Sequence, residues 1–307
     1  MTHPYHVVAE GFSHIDLKYS PETYAVSREE KEFLDDFVAI QAAKAKEKGG
    51  LFFDGDMTGI LLRGENAPTV RGNVDTLALN MQAMKYSQHA GLFRARHDAP
   101  IQAAYLCGLA ITRDNYLVFG KNQATEVNFM GKLGIPAGGI IEGFGGAPSF
   151  DQLYRELSEE IGFAEEYHLD GKVILGWMNG MSAREGNYHL TTSFIVPLRL
   201  SKDELHDYFK DWKDTQQRLL ARIEKSGGKK KKVEFADLHF LPNDADYLRN
   251  FIDEQDSKGK DANLLGKSLD VVEEWVSRYS CDPFKVELIA KNEGAIVYLP
   301  QPLIPVS

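Results

Sequence analysis

The segment Arg155-Glu156-Leu157-Ser158-Glu159-Glu160-Ile161-Gly162 places three carboxylates and a guanidinium within a few residues of one another. On a helix, residues three and four apart are neighbours, so Glu156, Glu159 and Glu160 emerge together on one face. Three adjacent like charges destabilise one another unless something positive compensates. A divalent cation would do so, and oxygen-only ligation points to Mg²⁺ or Mn²⁺ over zinc. A solvated acidic face would account for the same residues. The cation is favoured by the concentration of glycine between Gly131 and Gly146 just upstream, because backbone groups there can approach a phosphate or a metal closely.

The elements that must position these groups are legible around them. Ser149 with Gln152 fits a capping box, Phe150, Leu153, Leu157 and Ile161 form an apolar stripe, and Gly162 stands where a C-cap belongs, so the pattern predicts a helix over 150–161. Upstream, Ile101 to Thr112 turns at Arg113-Asp114-Asn115 and returns as Tyr116 to Gly120, a β-hairpin pattern. Downstream, strands are expected at 172–177, 189–198 and 233–241. Between the last two, Leu205, Phe209, Trp212, Leu219 and Ile223 keep helical spacing across 201–225, followed by Gly227-Gly228 and four lysines that read as a solvated loop. Helices are expected near 245–255 and 264–279.

The N-terminal part opens with strand-like stretches at Tyr5 to Ala9 and His14 to Tyr19. A helix over 28–48 follows, started by a Ser27/Glu30 capping box and carrying Phe33, Phe37 and Ile40. Short strands are expected at Leu51 to Phe53 and Met57 to Leu62, around Asp54-Gly55-Asp56. The chain therefore reads as α/β in two units: a small α/β domain at 1–98 and a larger domain at 99–307 with a helical insertion at 201–232 and C-terminal helices.

The helix segment resembles the Nudix box, G-x5-E-x7-R-E-U-x-E-E-x-G-U, where U is a bulky aliphatic residue. Every fixed position of the second half is present, with Phe163 in the last aliphatic slot. Ile135-Pro136-Ala137-Gly138-Gly139-Ile140-Ile141-Glu142 is similar to the proline and glycine lead-in of that family. The first half departs from the pattern. Ala147 stands where the family has Glu, and the loop is about two residues longer than the pattern allows. Asp151, one helical turn before Arg155, is the expected substitute partner for that arginine.

The resemblance implies a Nudix α/β/α sandwich with a mixed sheet beside the small N-terminal domain. It also implies Mg²⁺-dependent or Mn²⁺-dependent hydrolysis of a nucleoside diphosphate linked to another moiety, by attack of metal-activated water on phosphorus. By motif position, Glu156, Glu159 and Glu160 would share metal ligation and base duty, with Gly138 supplying a backbone carbonyl. Glu156, Glu159 and Arg155 would form the catalytic set, Arg155 by orienting the carboxylates. Gly139, Glu142, Glu185 and Glu234 are the candidates for substrate contacts, the last two as acidic residues from later loops. The layout is similar to the UDP-glucose-hydrolysing Nudix group, so a nucleotide sugar is the expected substrate. An ADP-ribose or dinucleotide pyrophosphatase is the alternative, as is a nucleotide sensor that has lost catalysis. Trp177 and Tyr188 could stack on a base or could simply pack.

Composition sets the outer bounds. The chain has 307 residues, 43% of them hydrophobic, a net charge of −10 and two cysteines. That is enough apolar material for real cores and too few cysteines for a disulfide framework, so a reducing, cytoplasmic setting is expected. No apolar run reaches membrane-spanning length and no secretory leader is visible, so no membrane role is expected. The negative balance argues against sequence-independent nucleic-acid binding. It leaves phosphate-bearing small molecules open, because a carboxylate-held metal reverses the local sign.

Overall fold

The computed structural model describes residues 5–47, 52, 54–70, 75–96, 98–123, 131–140, 150–182, 187–226, 233–259, 262–286 and 296–297. The chain begins with β1 (Tyr5–Glu10), β2 (His14–Thr23) and α1 (Arg28–Glu47). Next come β3 (Asp56–Leu61), β4 (Thr69–Val70) and β5 (Thr76–Lys85), then the short α2 (Tyr86–Gln88), which runs into a π-helical turn at His89–Phe93. The central part consists of β6 (Ile101–Ile111), β7 (Tyr116–Asn122), β8 (Leu133–Gly134), β9 (Gly139–Ile140), α3 (Phe150–Ile161) and α4 (Glu165–His168). The chain continues through β10 (Ile174–Ser182), β11 (Asn187–Pro197), α5 (Lys202–Lys225), β12 (Phe235–Pro242), α6 (Ala245–Lys258), α7 (Gly266–Ser277) and β13 (Ile296–Val297).

β6 is the axis of the molecule. Its sequence, IQAAYLCGLAI, is buried at nearly every position, which is the pattern of a strand covered on both faces. Side chains alternate across it. Ala104, Leu106 and Ala110 join a core containing Leu153, Leu157 and Ile161 of α3 and Leu205 and Phe209 of α5. Cys107, Leu109 and Ile111 join a second core with Leu248 and Ile252 of α6 and Leu269, Val272 and Trp275 of α7. A mixed sheet thus lies between helices on both faces. The β6–β11 pair is parallel, and β10–β11 and β6–β7 are antiparallel.

The strand order β13-β1-β10-β11-β6-β3-β5-β2 links the two halves of the chain. Around residue 98, where the sequence suggests a boundary, strands are shared across it. β3 pairs with the start of β6 through Gly59, Ile60 and Leu61, and β1 pairs with β10. β5 lies between β2 and β3 although its sequence, TLALNMQAMK, is rich in helix formers and was not expected as a strand. Leu51 and Phe53, expected in a short strand, lie outside the described residues, as do Lys229 to Lys232. Among the described residues, no helix is long and apolar enough to cross a membrane.

Candidate functional site

The site is built where α3 crosses β6. Leu153, Leu157 and Ile161 are fully buried against the strand, and Gly108 allows the approach: a Cβ there would stand 2.8 Å from Leu153 Cδ1 and 3.3 Å from the Ala137 methyl. Into this space runs the glycine-rich lead-in, fastened at three successive residues. The Ile135 amide donates to Ser268 Oγ of α7 at 3.2 Å. The Pro136 carbonyl accepts from the Gly108 amide at 3.2 Å. The Ala137 amide donates to Glu160 Oε2 at 2.6 Å. Ala137 is held at φ 56°, a left-handed conformation that disfavours any residue with a Cβ, so its fastening to Glu160 offsets a local cost. Gly139 and Ile140 then form β9, antiparallel to Leu106 and Tyr105.

The motif side chains divide by environment. Glu160 is 5% exposed and turned inward to the loop. Glu156 is 20% exposed and pairs with Arg155, Nη2 to Oε1 at 2.9 Å, while the arginine itself is half-exposed. Glu159 faces solvent. Asp151 also faces solvent, and among the described contacts Arg155 is held by Glu156, not by Asp151. Asp151 acts instead on Tyr154, whose hydroxyl is pushed up to about 12 by burial and by the charges of Glu165 and Asp151.

The far end of α3 is locked by α5. Gly162 takes φ 72°, its amide returns to the Ser158 carbonyl at 3.1 Å, and the Phe163 amide returns to Leu157 at 3.2 Å. Tyr208 of α5 donates its hydroxyl to the Gly162 carbonyl at 2.6 Å, and a Cβ on Gly162 would meet the Trp212 ring at 2.5 Å. Phe163 fills the slot expected for an aliphatic residue by stacking on Tyr154, with centroids 5.9 Å apart and planes at 15°. Helix α5, the described part of the expected 201–232 insertion, therefore fixes the end of the helix that carries Glu159 and Glu160.

The other candidates are placed as follows. Gly138 lines a small recess with Tyr105, Cys107, Ile135, Thr191 and Ser268, whose volume of about 10 Å³ is room for about one water and no small molecule. Glu234 stands just before β12, its carbonyl accepting from the Gln123 amide at 2.9 Å. Glu142 and Glu185 lie outside the described residues. Trp177 is fully buried and stacks on Tyr279 at 4.8 Å, so it packs and does not receive a base. Sequence reasoning missed Ser268 and Gly108. The first carried no signal; the second was a lone glycine inside an apolar strand, which often marks close backbone approach.

The donor set suits a hard cation in kind: carboxylates on α3 beside the backbone of the loop at Gly138. As placed, Glu160 serves the Ala137 amide and Glu156 serves Arg155. Among the described residues no group of three or more His, Cys, Asp or Glu side chains stands together ready to hold a metal.

No protein-family model matches the chain, and no curated protein matches it in sequence. Among solved structures, DR0079 from Deinococcus radiodurans is similar over 60% of this chain and 85% of its own, at 9% identity and a TM-score of 0.35. A likeness at that level carries no argument about activity.

Proposed function

We propose that the chain is a Nudix-type pyrophosphohydrolase dependent on Mg²⁺ or Mn²⁺, acting on a nucleoside diphosphate linked to a second moiety, with a nucleotide sugar such as UDP-glucose as the substrate class. The observation that carries the reading is the bond from the Ala137 amide to Glu160. It joins the carboxylate face of α3 to the glycine-rich lead-in, the two parts such chemistry has to bring together. Glu156, Glu159 and Glu160, with the Gly138 carbonyl, would hold the cation. When bound, the cation supplies neutralisation of the diphosphate charge and acidification of water.

The chain's own groups do the rest. Arg155 orients Glu156 through their ion pair. Glu160, buried and engaged by an amide, is suited to a fixed ligating role, which leaves the exposed Glu159 and the oriented Glu156 to accept the proton. Ser268, Gly108 and Glu160 hold residues 135–137 in one conformation, so the backbone at Gly138 is presented without reorganisation. The test is magnesium-dependent release of UMP or AMP from a panel of nucleotide sugars, ADP-ribose and NADH, with Glu159→Gln/Glu160→Gln as the matched variant. Unchanged turnover in that variant would sink the site. A second reading, a nucleotide sensor without catalysis, rests on the partners the carboxylates already have: Glu160 is engaged by the Ala137 amide and Glu156 by Arg155. Ligand binding with no turnover of any panel member would select it.

A further inference from the structure

Among the described residues, helix α1 packs along one side. Leu34 is buried, and Phe37 rests on Phe52 with centroids 6.3 Å apart. Both press on Gly91 in the π-helical turn, where a Cβ would lie 3.2 Å from Leu34 and 3.4 Å from Phe37. The neighbouring face points away from the molecule. Phe33 is 50% exposed and Ile40 53%, and Phe33 stacks beside Phe37 at 6.4 Å. Phe33, Phe37 and Ile40 recur at helical spacing and form a continuous apolar stripe, half of it in water.

The charges of α1 are distributed unevenly along the same helix. Glu29, Glu30, Glu32, Asp35 and Asp36 crowd its first half, against Arg28 and Lys31, and Arg28 is already paired with Glu32. Lys44 and Lys46 occupy the last turn, together with Glu47. Glu30 is engaged in the capping box through the Ser27 amide, which leaves Glu29 as the outward carboxylate nearest the stripe at that end.

We propose that this face is a homodimer surface, and that its occupant is α1 of a second copy of the chain, lying antiparallel across a two-fold axis. One register pairs the apolar residues and the end charges, at the cost of bringing Asp36 beside Asp36 of the second copy at the axis. With the axis crossing between Asp36 and Phe37, Phe33 stands opposite Ile40 of the second copy, and Glu29 stands opposite its Lys44. Because the interface is isologous, each contact occurs twice. A parallel arrangement would set the acidic halves against each other and is disfavoured by the same charges.

The experiment is sedimentation velocity of the full chain from about 1 µM to about 100 µM, with far-UV circular dichroism of every variant as the folding control. The wild type is expected to dimerise. Phe33→Ser/Ile40→Ser is expected to be monomeric throughout with an unchanged spectrum, because both side chains are half in water and neither belongs to the buried core. Glu29→Lys and Lys44→Glu should each weaken the dimer about tenfold, since each changes two ion pairs from attraction to repulsion. The double swap Glu29→Lys/Lys44→Glu should restore it. That restoration cannot come from α1 itself, because the swap puts a cation at the helix start and an anion at its end, which weakens an isolated helix. A wild type that stays monomeric, a dimer that survives Phe33→Ser/Ile40→Ser, or a double swap no tighter than the single variants would overturn the proposal.

Discussion

Glu160→Ala, with Glu160→Gln beside it, tests the junction on which the candidate site rests. In the structure the carboxylate is 5% exposed and accepts the Ala137 amide at 2.6 Å, while Ala137 sits at φ 56°. A buried hydrogen bond to a charged group is worth about 1.5–3 kcal/mol, and the left-handed backbone costs about 1–2 kcal/mol for a residue with a Cβ. Without the acceptor, the buried amide is left unsatisfied and the strain is left unopposed. Local opening of residues 135–138 should become easier by about 2 kcal/mol, or roughly thirtyfold. Glutamine keeps a neutral acceptor, so the expected change is about 1 kcal/mol, or roughly fivefold. The assay is hydrogen exchange at the Ala137 amide without added metal. Graded loss of protection, greater for Ala than for Gln, is the expected result. Wild-type protection in Glu160→Ala would refute the reasoning, because the amide would then be held by something else.

Two further outcomes follow from the geometry. Gly162→Ala should destabilise the chain by about 2–4 kcal/mol in urea unfolding, because the residue is at φ 72° and its Cβ would lie 2.5 Å from Trp212; a wild-type midpoint would show that α5 does not clamp α3. His89, fully buried, has its imidazole pushed down to about 4 by burial and then by Arg94, so its contribution is complete above the unfolded value near 6.5 and is lost as pH falls toward 4. That loss approaches about 3 kcal/mol. His89→Phe should flatten this part of the unfolding free energy measured between about pH 4 and pH 7.

Elements with local punctuation were legible in the sequence. α3 runs from Phe150 to Ile161 and α1 from Arg28 to Glu47, close to where capping boxes, apolar stripes and glycines set them. The β6–β7 hairpin turns at Asn115, which takes φ 64° as asparagine tolerates. β5 was hidden because its residues prefer a helix, and only its position between β2 and β3 makes it a strand. The same division runs through the candidate site. That α3 carries three glutamates at helical spacing could be read from the sequence; that Glu160 turns to the loop, Glu156 to Arg155 and Glu159 to solvent could not. Neither could the hold of Ser268 on Ile135 across 133 positions of sequence, because nothing local encodes a contact between distant segments.

The pairing of β1 has a consequence in time as well as in space. Tyr5–Glu10 finds its partners in β10, at Ile174–Ser182, and in β13, at Ile296–Val297. Glu10 is buried against Arg278 just beyond α7. On a growing chain β1 is therefore made long before its partners, and it must stay out of wrong pairings until β10 exists. Residues 1–98 made alone would hold β1 with none of the strands it joins here, so the opening segment matures with the rest of the sheet and not ahead of it.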